Sequence, residues 1–193
     1  MSKPRIARVW IEKAVDSDPD LSWLGEYGDT AETEWAVDRR DRGDAERGQY
    51  RFWNPGPNHL PPGDAQHWAH VDDEQVAAAL VANGLPADVG TLSRSRALES
   101  LDLAYIEQDY QRCESYNRED WWMVGIIAKA EVVVNGVVQV IHSGGLWGIE
   151  SDAGDDYLAS VAQEELSDLG RQLADLGLRR RAIAHAIKGV ESD

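Results

Sequence analysis

Between residues 121 and 142 apolar side chains fall on every second position: Trp122, Val124, Ile126, Ala128, Ala130, Val132 and Val134. A period of two predicts a strand with one face turned to a core. Asn135-Gly136 follows, a pair that suits a two-residue type I′ turn because both central residues need positive φ. That turn sets a register in which Val134 faces Val137, Val132 faces Gln139 and Ala130 faces Ile141. On the other face Glu131 meets Val140 and Lys129 meets His142, so that face is only partly buried. A strand is also predicted over residues 5–13, where Ile6, Val9, Trp10 and Ile11 are β-formers, and a short one over 49–53.

Elsewhere the period is helical. Residues 73–83 predict a helix capped by Asp72 or Asp73, with Glu74 at its positive end, Gly84 at its stop and Pro86 beyond. Residues 96–117 predict a longer helix. Leu98, Leu101, Tyr105, Ile106, Tyr110, Cys113 and Tyr116 recur at helical spacing, and Glu99, Asp102, Glu107, Asp109 and Glu114 take the other face. A third helix starts at Asp155 or Asp156 and runs through Leu176. Leu158, Val161, Glu165, Leu169, Leu173 and Leu176 lie along one side, and Gly177 ends it. The remaining residues, 178–193, form a short last helix or a loose tail. Residues 54–63 and the glycine-rich 143–150 are expected as irregular connections. There is no internal repeat. Helices stand before and after the hairpin instead of alternating with strands. This predicts an α+β fold: a small antiparallel sheet built around a long central hairpin (121–142), packed by helices on both sides of it in sequence. The length, 193 residues, suits a single compact domain over 1–193.

Charge changes this picture of an ordinary domain. The chain carries 35 Asp and Glu against 19 Lys and Arg, a net charge of −16. It also carries eight Trp and six Tyr but one Phe, Phe52. Disordered acidic chains are poor in aromatics, so the acid belongs to a folded body. Trp and Tyr bury large area and keep a polar handle, which suits half-wet cores and interfaces. The acid falls in three segments: net −8 over residues 12–46, −5 over 99–120 and −7 over 150–175. Such a surface repels DNA, RNA and anionic membranes. The one concentrated basic run is Arg179-Arg180-Arg181. The N-terminal MSKPRIARVW lacks the apolar core of a signal peptide, and no run is long enough to span a bilayer. The lone Cys113 excludes an internal disulfide. Together these predict a soluble, cytoplasmic protein.

Catalytic and metal motifs are weak. No phosphate-binding or dinucleotide-binding glycine pattern occurs, and Ser143 lacks the flanks of a nucleophile elbow. His59, His67 and His70 stand in proline-rich surroundings without a fourth ligand at zinc spacing. Asp16-x-Asp18-x-Asp20 imitates the start of a calcium loop, but Leu21 replaces the required Gly and Tyr27 the required Glu. Helix capping accounts for Asp152, Asp155 and Asp156. Cys113 has only His142 as a candidate base, and a buried inert thiol is expected. No catalytic residue, cofactor or metal is expected.

From Tyr105 the chain reads YIEQDYQRCESYNREDWWMVGIIAKAEVVV, and further on SGGLWGIESDAGDDYLASVAQEEL. With DLSWLGEYGD, QYRFWNP and HWAHVDDEQVAAAL upstream, it resembles an uncharacterised family of small acidic proteins from phages, plasmids and other mobile elements. The resemblance implies a mobile-element setting and transfers no catalytic residue. Small acidic proteins of that setting often blunt host defence, some as DNA mimics. The expected function is therefore non-enzymatic: binding to the basic surface of a nucleic-acid-binding protein, in the sharper version as a DNA-mimic inhibitor of defence or restriction machinery. Asp16, Asp18, Asp20, Glu150, Asp152, Asp155 and Asp156 would supply charge, and Trp23, Trp35 and Trp147 apolar anchors. One alternative is a small-molecule or metal-dependent enzyme or sensor using the 143–150 loop with His142 and Trp121. Another is an adaptor that forms a homodimer through its leucine-lined helix.

Overall fold

A computed structural model of the chain describes residues 4–44, 49–57, 70–86 and 94–190. The fold is α+β with small antiparallel sheets. It forms two compact units, Met1–Pro19 with Trp121–Asp193, and Asp20–Asp120.

The first unit is built on β1 (Arg5–Val15), β5 (Met123–Val134), β6 (Val137–His142) and β7 (Leu146–Glu150). The strand β5 is central, with β1 on one edge and β6 and β7 sharing the other. The β5–β6 hairpin has the expected register throughout, from Val134↔Val137 to Lys129↔His142. Asn135 and Gly136 adopt φ 51° and 85°, the positive values a type I′ turn needs. Helices α4 (Asp155–Asp175) and α5 (Arg180–Lys188) cover one face of the sheet. Ala128, Ala130 and Val132 meet Leu166, Leu169, Leu173, Leu178 and Ile183 there. Nearer the start of β5, Val124, Ile126 and Ile149 meet Val161 and Ala162.

Two expectations about this unit are corrected. The segment 143–150 is not an irregular connection, since Leu146–Glu150 is a strand. Its Ile149 completes the apolar stripe beside Val124, and one extra residue between Leu146 and Ile149 makes a bulge. The first aspartates of α4 do not cap it either. Gly154 is the N-cap and makes no side-chain hydrogen bond, so Asp155 and Asp156 act on the helix dipole from the first turn. The leucine side of α4 is spent on its own sheet; only Leu176, 56% exposed, is left outside.

The second unit holds β2 (Gly25–Gly28), β3 (Val37–Asp38), the single turn α1 (Arg39–Arg42), β4 (Phe52–Pro55), α2 (Asp73–Ala82) and α3 (Arg94–Asn117). Strand β4 lies between β2 and β3. It begins at Phe52, later than the expected 49–53, and Arg39 N and Nη1 bind the carbonyls of Arg51 and Tyr50 just before it. Asp72 caps α2 in a reciprocal box with Gln75. Val76 and Leu80 pack on Ala97 and Leu101 of α3. The later turns of α3 bury Ile106, Tyr110, Cys113 and Glu114. Glu114 was expected on the solvent face, and its burial needs a chemical reason.

Candidate functional site

That reason is Arg39. Both residues are 5% exposed. Arg39 Nε donates to Glu114 Oε1 at 2.7 Å and Nη2 to Oε2 at 3.2 Å, a two-pronged pair. The guanidinium also donates to the carbonyls of Tyr50 (2.9 Å) and Asp44 (3.2 Å). It stacks 4.7 Å from the centre of the Tyr27 ring. The Tyr27 hydroxyl donates to Glu114 Oε1 at 3.1 Å and accepts from Asn117 Nδ2 at 2.8 Å. Above the pair opens a cavity of about 710 Å³ lined by Tyr27, Asp29, Arg39, Gln49, Tyr50 and Asn117. Beside it, Tyr110 donates to Asp44 Oδ2 at 2.5 Å and packs on Trp53, ring centres 5.5 Å apart. Burial foremost, then nearby negative charge, pushes the Tyr27 phenol above its ordinary range. Burial and the bond to Asp44 do the same for Tyr110. Burial raises the Cys113 thiol, so it is no ready nucleophile. Sequence reasoning missed this network. One signal was available: Glu114 lies four residues after Tyr110 and next to Cys113, on the apolar stripe of α3.

The acid is unevenly divided. In sequence the second unit has 21 carboxylates and nine Lys and Arg, a net of −12; the first has 14 and ten, a net of −4. The expected contact residues are divided between the two units. Asp16, Asp18, Trp147, Glu150, Asp152, Asp155 and Asp156 belong to the first unit, and Asp20, Trp23 and Trp35 to the second. Within the first unit, Asp16 follows β1 and Glu150 closes β7. Both therefore stand at the end of the sheet where β5 begins, with Asp152 next in the chain. Asp155 and Asp156 are exposed on the first turn of α4. Trp147, 45% exposed, lays its ring against Gly125 of β5. In the second unit Trp23 is 39% exposed, and Trp35 is half-buried.

The calcium-like run is cut by the boundary between units. Asp16 Oδ1 accepts from Asp18 N, and Asp20 Oδ1 from Ser22 N and Oγ, so both close local turns. Ser22 thereby holds the Asp20 carboxyl below its ordinary range. Among the described residues no group of three His, Cys, Asp or Glu side chains could hold a metal ion. His59 and His67 lie outside the described residues. Ser143 is fully buried, and its role is structural: its N–H donates to Ala128 O, and its Oγ accepts from Ala128 N, extending the β5–β6 ladder by one rung. His142 and Cys113 belong to different units. Among the described residues, no helix is long and apolar enough to cross a membrane.

A second acidic feature escaped the sequence reading. No Lys or Arg occurs between Lys13 and Arg39. Within that stretch Glu26, Asp29, Glu32 and Glu34 are all exposed. Glu26 belongs to β2, and the loop that carries the other three is pinned by the buried Asn54 of β4. Its Oδ1 accepts from Glu32 N at 2.8 Å, and its Nδ2 donates to Thr30 O at 3.2 Å. These four carboxylates therefore ride on an anchored support. No protein-family model, curated protein or solved structure matches the chain.

Proposed function

We propose that this is a non-enzymatic binding protein whose second unit docks on the basic surface of a nucleic-acid-binding protein. The sharper form of the reading is a DNA mimic that blunts host defence or restriction machinery. The observation that carries it is the anchored, base-free acidic stretch. Glu26 stands on β2, and Asp29, Glu32 and Glu34 follow on a loop held by Asn54, with the exposed Trp23 on the same stretch of chain. Fixed charges steer a basic partner and suppress wrong registers, and an exposed indole adds an apolar anchor. Five of the unit's nine arginines are held in ion pairs, with Arg39, Arg42, Arg51, Arg94 and Arg118 on Glu114, Glu107, Asp38, Asp73 and Asp120. The acid outside those pairs dominates the field.

The test is binding of the full chain to a purified restriction nuclease, with duplex DNA as competitor. Saturable binding that DNA displaces is expected, weakening steeply as salt rises from about 50 to 200 mM. Combined Glu26→Gln, Asp29→Asn, Glu32→Gln and Glu34→Gln should abolish it, while Asp155→Asn with Asp156→Asn should leave it intact. No binding at low salt would sink the proposal. Equal losses in the two variants would reduce the acid to general solubility.

A further inference from the structure

The first unit separates its charges by element. Residues 150–175 carry eight carboxylates and one arginine, whereas 176–190 carry Arg179, Arg180, Arg181 and Lys188 and no acid. The described ion pairs of this unit are Lys129–Glu12 and Arg171–Asp168. Among the described residues, Arg5, Arg179, Arg180 and Arg181 enter none. Arg179-Arg180-Arg181 is the longest basic run in a chain of net −16.

Two of these arginines meet at a cavity. Where the start of β1 passes α5, a pocket of about 660 Å³ is lined by Arg5 and Ile6 on one side. Leu178, Arg179, Ala182 and His185 line the other. Its lining thus combines two arginines and a histidine with the apolar Ile6, Leu178 and Ala182. Guanidinium groups bind phosphate and carboxylate in a planar, two-pronged fashion. A concave apolar surface with a few convergent polar groups is the form that small-ligand sites take.

We infer that this pocket binds an organic anion: a phosphate or carboxylate head held by Arg5, Arg179 and His185, with a short apolar body on Ile6, Leu178 and Ala182. A nucleic acid fits less well. Its backbone needs an extended positive track, and the remainder of this unit and the whole of the other are net negative. The inference is independent of the acidic docking surface, since it uses other residues and the opposite charge.

The experiment is a titration of the full chain followed by backbone amide resonances, with hexyl phosphate, hexanoate, hexanol and inorganic phosphate as probes. One or both organic anions should bind saturably and shift residues 5, 6, 178, 179, 182 and 185, and their relative affinity names the head group. Hexanol and inorganic phosphate should each bind roughly tenfold more weakly, as expected when either the charge-assisted bonds or the apolar contact is lost. Arg5→Gln with Arg179→Gln should weaken the anion by at least about tenfold, and Ala182→Phe, which fills the floor, should exclude it. The inference is overturned if neither anion shifts these resonances. It is overturned equally if hexanol binds as well as the anions, if the variants bind as the parent does, or if a short DNA duplex binds this face more tightly than either anion. The resonance map on the parent chain decides the matter even if a variant fails to fold.

Discussion

Arg39 and Glu114, 75 residues apart in sequence, share two hydrogen bonds at 2.7 and 3.2 Å with almost no exposure to solvent. The pair joins α1 to α3 and organises the polar interior of the second unit. A buried pair of this kind is poor as a source of net stability, because desolvation offsets most of the attraction. Breaking one half is different, since it strands a charge.

Arg39→Met should therefore destabilise the protein by about 3–5 kcal/mol in urea unfolding. Adding Glu114→Met should recover part of that loss, because the stranded carboxylate goes with it. Full recovery is not expected, since the Tyr50 and Asp44 carbonyls lose their donor. A loss under about 1 kcal/mol in the single variant would contradict the account.

Alkaline pH should open the same region. Tyr27, Tyr110 and Cys113 all have raised values in the folded chain, chiefly through burial. Folding then favours the protonated forms. Their contribution is complete below the ordinary values of 9.0 for the thiol and 10.0 for the phenols, and is lost as pH climbs beyond them toward the folded values. Tyrosinate absorbance and far-UV circular dichroism, followed together, should show two tyrosines ionising only as the fold is lost. Complete ionisation of all six with the dichroism unchanged would refute this.

Gly125 and Trp147 are a matched pair across β5 and β7. A Cβ on Gly125 would collide with the indole. Gly125→Ala should cost about 1–3 kcal/mol, as overpacking does, and shift tryptophan emission. In the double variant with Trp147→Ala, the two effects should be less than additive, because they share one contact. Strict additivity would mean the ring does not sit there.

The hairpin turn offers a local check. Gly136 has φ 85°, and a Cβ there meets nothing, so only backbone strain opposes substitution. Gly136→Ala should cost about 1 kcal/mol, and Gly136→Val more, since the left-handed region is costly for side chains and most so for β-branched ones. Equal melting temperatures for the parent and both variants would show the turn to be of another type.

Much of the architecture was legible in the chain alone. The hairpin register, the cap of α2 and the spans of α3 and α4 follow from alternation, helical spacing and turn residues, all of which act over a few positions. The net charge and the aromatic load were equally plain. Tertiary structure decided the rest. Within the glycine-rich 143–150, residues 146–150 became a strand because β5 had an edge left open beyond β6. Glu114 moved from the expected surface to the interior because an arginine from a distant turn neutralises it. The three-way division of acid became a two-unit imbalance of −12 and −4, with Arg179, Arg180 and Arg181 standing at the start of α5 outside any described ion pair. Local pattern encodes which residues form an element. Which charges end up buried, paired or left facing solvent depends on partners that only long-range folding brings within reach.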